Sequence, residues 1–170
     1  YTRTLEQAGT YDFMAMWEGD DNTFGDVSDA QTLTVLPIYI FEVEDTQVII
    51  QTNSTITISA FNFSQPLKQI SFNVTGQEDT TGFCNITIPK TLMWVGAFDE
   101  WNITIDDTSL STQEKIVTFN GTHYFVYFTY FTYNTSTVTI QVISKYVIPE
   151  FPTWTSMLLL LIVFTVAIAI

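Results

Sequence analysis

From Gln47 to Ile143 the chain breaks into short runs of Thr, Val, Ile, Phe and Tyr, each bounded by turn residues. Branched and aromatic side chains pack well on a pleated surface and lose rotamer freedom in a helix, so they favour extended backbone. The runs are Gln47–Gln51, Thr55–Phe61, Gln69–Thr75, Phe83–Ile88, Trp101–Asp106, Lys115–Phe119, Thr122–Tyr133 and Thr137–Ile143. Between them fall Gln65-Pro66, Gly76 to Gly82, Asp106-Asp107, Asn120-Gly121 and Asn134-Thr135. Asn-Gly between two apolar runs is the sharpest hairpin signal present. Eight short strands in about a hundred residues predict an all-β chain built as an antiparallel β-sandwich. The segment Pro89 to Trp94 reads as one helical turn opened by its proline.

Ahead of this body, Tyr11, Phe13, Ala15 and Trp17 alternate along one strand, and Gln31–Leu36 forms another. Glu18 to Asp26 reads as a polar turn with two glycines, which makes residues 1–36 a hairpin. A lone hairpin is marginal in water, so it needs partners elsewhere in the chain or in another subunit. Residues 37–45 read as a connecting strand or linker. The longest strand is apolar on both sides: Tyr124, Val126, Phe128 and Tyr130 on one, Phe125, Tyr127, Phe131 and Tyr133 on the other. One side fills a core. The other needs a cover, whether a loop, a glycan, a second domain or another subunit, so Tyr127, Phe131 and Tyr133 are the candidate partner contacts.

The last fourteen residues, MLLLLIVFTVAIAI, contain one polar side chain, Thr165. Counted from Trp154 the stretch is long enough for about 25 Å of helix, at the short end of what a bilayer requires. It is apolar on every face, unlike the striped helix of a soluble core. Pro152 suits a first helical turn and Trp154 the membrane interface. Residues 154–170 are therefore expected to span a bilayer, after a stiff proline-containing linker over 146–153.

Seven of the eight asparagines begin Asn-x-Ser/Thr: Asn53, Asn62, Asn73, Asn85, Asn102, Asn120 and Asn134. With 28 Thr and 10 Ser in 170 residues, chance supplies roughly two. Asn-x-Thr also suits turns and strand ends, which is the plain alternative. The functional reading is N-glycosylation, which requires exposure on the outer side of a membrane. All seven precede the apolar stretch, so the body would lie outside the cell and the C-terminus would point inward. Sugars would also supply wet bulk to a chain in which only 14% of residues are charged.

Five Lys+Arg against 18 Asp+Glu leave a net charge of −13, too few cations to neutralise a phosphate backbone, so nucleic acid is excluded as a partner. One cysteine rules out an internal disulfide, and one histidine a multi-histidine metal site. The adjacent acids Asp20-Asp21, Asp99-Glu100 and Asp106-Asp107 sit in turns, where they would not converge on one substrate. The oxygen-rich loop makes Asp20, Asp21 and Asp26 candidates for Ca²⁺, although their spacing departs from an EF-hand and a plain turn competes. Cys84 alternates with Ile86 and Ile88, which points to a buried, inert thiol. His123 has no matching nucleophile motif. No catalytic residue and no enzyme activity are assigned.

Three pieces carry a resemblance. GTYDFMAMWEGDDN (Gly9–Asn22) resembles the last hairpin of immunoglobulin-like repeats in prokaryotic surface proteins. DTTGFCNITIPKTLMW (Asp79–Trp94), WNITID (Trp101–Asp106) and FTYFTYNTSTVTIQVI (Phe128–Ile143) resemble a β-sandwich module of archaeal cell-surface proteins. VIPEFPTW with its apolar continuation (Val147–Ile170) is similar to their Pro-Glu-Phe C-terminal anchors. The resemblance implies a partial immunoglobulin-like unit over 1–36, completed by upstream chain or by an assembly, and a β-sandwich over 46–145. It also implies a glycosylated, single-pass structural protein of the archaeal envelope, a lattice or filament component or an adhesion stalk. Its partners would be the bilayer, other envelope proteins or copies of itself. An extracellular glycan- or ligand-binding module, or an accessory subunit of a membrane complex, are the alternatives. N-glycans are the expected adducts, with Ca²⁺ kept open.

Overall fold

A computed structural model describes residues 7–53, 55–132 and 136–148. The strands are β1 (Gly9–Phe13), β2 (Met16–Asp20), β3 (Thr23–Val27), β4 (Gln31–Val35), β5 (Ile38–Val43), β6 (Thr46–Thr52), β7 (Thr57–Ser64) and β8 (Gln69–Thr75). They continue with β9 (Thr81–Pro89), β10 (Met93–Trp94), β11 (Asn102–Ile105), β12 (Thr108–Ser109), β13 (Lys115–Phe119), β14 (His123–Phe131), β15 (Thr137–Ile143) and β16 (Tyr146–Val147). The fold is all-β.

Two five-stranded antiparallel sheets make the body. One runs β12-β11-β15-β8-β7, the other β13-β14-β9-β6-β5. Inward residues alternate along each strand, as a pleat requires. Ile70, Phe72 and Val74 on β8 and Val138, Ile140 and Val142 on β15 are buried, as are Cys84, Ile86 and Ile88 on β9 and Val126 and Phe128 on β14. These residues belong to one hydrophobic cluster, which makes the arrangement sandwich-like. Aromatic pairs close both sides. Phe41 and Phe61 stack with centroids 4.0 Å apart, joining β5 to β7. Trp101, fully buried, meets Tyr124 edge-on at 5.4 Å, and Tyr124 stacks on Phe119.

The turns follow local chemistry. Asp106 and Asp107 both have positive φ, 46° and 62°, as a two-residue primed hairpin turn requires. Asn120 and Gly121 (φ 100°) turn β13 into β14. Asn120 Oδ1 accepts hydrogen bonds from the backbone N–H of Thr122 and His123. Gly82 is small for a packing reason: a Cβ there would lie 2.3 Å from the Tyr130 ring.

Four expectations change. Glu18 to Asp26 is mostly strand, because β2 and β3 pair from Met16↔Val27 to Asp20↔Thr23 and only Asp21-Asn22 turn. A Cβ on either Gly19 or Gly25 would meet the facing backbone within 2.7 Å, so these glycines allow close pairing rather than a wide loop. Residues 37–45 hold the edge strand β5, paired with β6 from Ile38↔Gln51 to Val43↔Thr46, not a free connector. Pro89 to Trp94 is not helical throughout: a single turn, closed by the Leu92 N–H on the Pro89 carbonyl, gives way to β10. Met93 and Trp94 pair with Val147 and Tyr146, so the expected linker begins as a strand bound to the body. A two-residue strand has too few positions to show a period, and the proline signal outweighed it. Among the described residues no helix is long and apolar enough to cross a membrane. The expected span Trp154–Ile170, with Pro152 and Trp154, lies outside the described residues.

Candidate functional site

The pairing register sorts outward residues by sheet, and the two outer faces differ. On the first sheet β8 presents Gln69, Ser71, Asn73 and Thr75, while β15 presents Thr137, Thr139, Gln141 and Ile143. Asn102 and Thr104 of β11 join the same side. Hydroxyls and amides dominate this face and cross-link it. The Thr75 and Thr137 hydroxyls lie 2.9 Å apart, and Thr139 Oγ1 donates to Asn73 Oδ1 at 3.2 Å. Gln141 Nε2 donates to Asp107 Oδ1 at 3.0 Å.

The second sheet turns apolar side chains outward. One row across all five strands reads Ile38, Gln51, Asn85, Tyr127, Ile116. The next reads Ile40, Ile49, Thr87, Phe125, Thr118. Ile38, Ile40 and Ile116 are 59%, 56% and 60% exposed, and Tyr127 is 37% exposed. Tyr127 stacks on Phe83 of β9 with centroids 5.8 Å apart. Of the expected contact residues, Tyr127 is therefore on the outer face. Phe131 pairs with Thr81 through its backbone at the end of β14. Tyr133 lies outside the described residues.

The asparagines fall into three settings. Asn62, Asn73 and Asn102 are on the hydroxyl face. Asn85 stands alone on the apolar face, on the central strand. Asn53 and Asn120 lie outside the strands: Asn53 Oδ1, just past β6, accepts from the Phe83 N–H of β9 at 2.8 Å, and Asn120 Oδ1 holds its own turn. Asn134 lies outside the described residues. In the six described motifs the hydrogen bonds formed use only the carboxamide oxygen, so the nitrogen is unengaged among the described residues.

Several carboxylates are engaged by local hydrogen bonds, and Asp12 and Glu42 accept across strands from Thr32 and Gln47. Asp20 Oδ1 accepts from the Asn22 N–H and the Thr23 hydroxyl, which hold its carboxyl below the usual range. Asp26 Oδ1 accepts from the Val27 N–H. Among the described residues no group of three or more His, Cys, Asp or Glu gathers in a way that could hold a metal, so Asp20, Asp21 and Asp26 are not brought into such a cluster. Glu100 binds Lys145, which is the first cause of its lowered pKa, and also accepts from the N–H groups of Ala97 and Gly96. Burial pushes the Cys84 thiol up to about 12, against a smaller opposing effect of the Thr52 hydroxyl. A thiol so buried is protonated and inert at neutral pH. His123 Nδ1 lies 2.8 Å from the Thr122 hydroxyl, as part of the turn.

Sequence reasoning missed the face-to-face contrast. Its signal was present in the alternate positions of β8, β9, β14 and β15, but the register that joins them is non-local. Comparison with protein-family models, curated proteins and solved structures gave no match.

Proposed function

We propose that the chain is a non-enzymatic, N-glycosylated structural protein of the cell surface. Its immunoglobulin-like β-sandwich would stand outside the membrane, anchored by the apolar stretch Trp154–Ile170 with the C-terminus inward. The observation that carries this reading is the placement of the glycosylation motifs. Six of them lie on outward strand positions or in turns, each with an amide nitrogen unengaged among the described residues, so a sugar could be added without opening the core. The resemblance of the sequence to archaeal envelope modules and their Pro-Glu-Phe anchors supports the same reading. Bilayer lipid and other envelope proteins, or copies of this chain, are its partners.

The test is to isolate the full chain from cell envelopes and map its glycopeptides. Occupied motifs and resistance to alkaline extraction are the expected result. A chain that leaves the membrane with alkali and carries no sugar would end the proposal. A second reading, an extracellular glycan- or ligand-binding module, rests on the exposed Tyr127 stacked on Phe83. Glycan-array binding lost in Tyr127→Ala would favour that reading, and silence on arrays would count against it.

A further inference from the structure

We infer that an N-linked glycan on Asn85 folds back across the apolar outer face and is the group that covers it. This rests on the surface reading above and adds a role for one site. Three observations converge. First, β9 is the middle strand of its sheet, so Asn85 stands at the centre of the face. With strands about 4.8 Å apart, the two edge strands lie only about 10 Å to either side. The first few sugar units can reach both Ile38 and Ile116. Second, Asn85 is flanked directly by Tyr127 on one side and Gln51 on the other, and no hydrogen bond ties up its amide. A pyranose presents an apolar C–H face and a rim of hydroxyls. The first suits Tyr127 and the isoleucines, and the second suits Gln51, Thr87 and water.

Third, the motif is placed against the pattern of its surroundings. The three other strand motifs lie on a face that hydroxyls already keep wet. Asn85 lies where three isoleucines are more than half exposed. Ile38, Ile40 and Ile49 form one apolar strip and Phe125, Tyr127 and Ile116 another, on either side of Asn85 and Thr87, and exposed apolar surface of this kind is costly in water and invites association. A protein partner docking here would have to hydrogen-bond the Asn85 and Gln51 amides as it buried them, or leave them unpaired at a cost. A glycan rooted at Asn85 avoids that penalty and blocks a second copy from the same face.

The experiment uses the full chain, purified in detergent from a host that glycosylates it. Glycopeptide mapping reports occupancy of Asn85. Thermal melts then compare wild type, Asn85→Gln, Thr87→Val, Asn102→Gln, Tyr127→Ala and the Asn85→Gln/Tyr127→Ala double variant. Thr87→Val removes the motif but keeps Asn85, which separates loss of sugar from a strand defect. Asn85→Gln and Thr87→Val should each lower the melting temperature by about 4 °C, and Asn102→Gln by about 1 °C or less. In the Tyr127→Ala background the Asn85→Gln effect should fall by half or more, because the stacking partner is gone. Equal effects at Asn85 and Asn102, or full additivity with Tyr127→Ala, would overturn the inference. So would an unmodified Asn85 beside occupied motifs, with either a bare face or a dimer formed through it. If no motif is occupied, the surface reading fails together with it.

Discussion

On β8 the outward positions are Gln69, Ser71, Asn73 and Thr75; on β14 they include Phe125 and Tyr127, between His123 and Thr129. Both strands bury the same kind of residue inward, Phe72 on one and Phe128 on the other. Burial therefore does not explain the contrast. A strand needs one apolar side to fold, and the second side is free to answer to what it meets. One sheet meets water through hydroxyls that hydrogen-bond across strands. The other presents isoleucine and aromatic rings around a single asparagine.

The largest expected effect tests whether β14 keeps the register on which this contrast depends. Phe128→Ala should destabilise the domain by about 3–5 kcal/mol in chemical denaturation, because it leaves a cavity in a closed core. Tyr127→Ala, one residue away, should cost much less. Comparable losses at both positions would mean that β14 is buried on both sides. Next in size is Gly82→Ala, which drives a methyl into the Tyr130 ring and should cost about 1–3 kcal/mol. If it proves neutral, the packing of that sheet against its neighbour is looser than described.

Exchanging the chemistry of the two faces should move association more than stability. Ser71→Ile with Thr139→Ile gives the hydroxyl face an apolar patch and should promote self-association in sedimentation runs. Ile40→Thr with Ile49→Thr should reduce whatever association unglycosylated chain shows. Stability should change little in the isoleucine pair, and by about 1 kcal/mol in Ser71→Ile/Thr139→Ile, which loses the Thr139–Asn73 hydrogen bond. Opposite behaviour of the pairs would dissolve the contrast.

The smallest effect concerns Lys145 and Glu100, an exposed pair on neither face. Glu100 is lowered, so its contribution is present above the ordinary carboxyl range and lost as pH falls through the lowered value. Lys145 is raised by the same contact, so its share is intact below its ordinary value and lost as pH rises through the raised one. Glu100→Gln should flatten both limbs of the melting profile slightly at low salt. An unchanged profile would show that the pair is only geometric.

Much of the fold was legible in the sequence. Gln69–Thr75, Lys115–Phe119 and Thr137–Ile143 have the bounds that alternation assigns them, because turn chemistry or a break in the apolar alternation marks each end. The buried thiol was legible too, from Ile86 and Ile88 beside it. What escaped had no local period. EGDDNTFGD hides β2 and β3 because polar side chains suit a strand exposed on both sides. β5 read as a connecting strand or linker, because only its pairing with β6 makes it part of a sheet. The candidate face was half visible: β14 announced two apolar sides and Asn120-Gly121 pairs it with β13, but nothing local says that Asn85 flanks Tyr127. That information lies in which strands pair, and β9 joins β6 and β14 across thirty to fifty positions.

The small ladder between β10 and β16 has a mechanical consequence. Tension entering the body at Ile148 would fall first on two residue pairs, the Ile148 N–H to Leu92 bond and the Gln65 side chain that grips the Ile148 carbonyl. Once those part, residues 146–148 can straighten to at most about 10 Å, until the pull meets the Ser144 N–H bond to the Lys68 carbonyl and the Lys145–Glu100 pair. Only then would the pull reach β15, which is held between β11 and β8 and would have to slide against both. A force–extension trace should therefore show a short, weak step before the main rupture. The clasp would act as a reversible spring between whatever tugs on the C-terminal side and a core that stays folded.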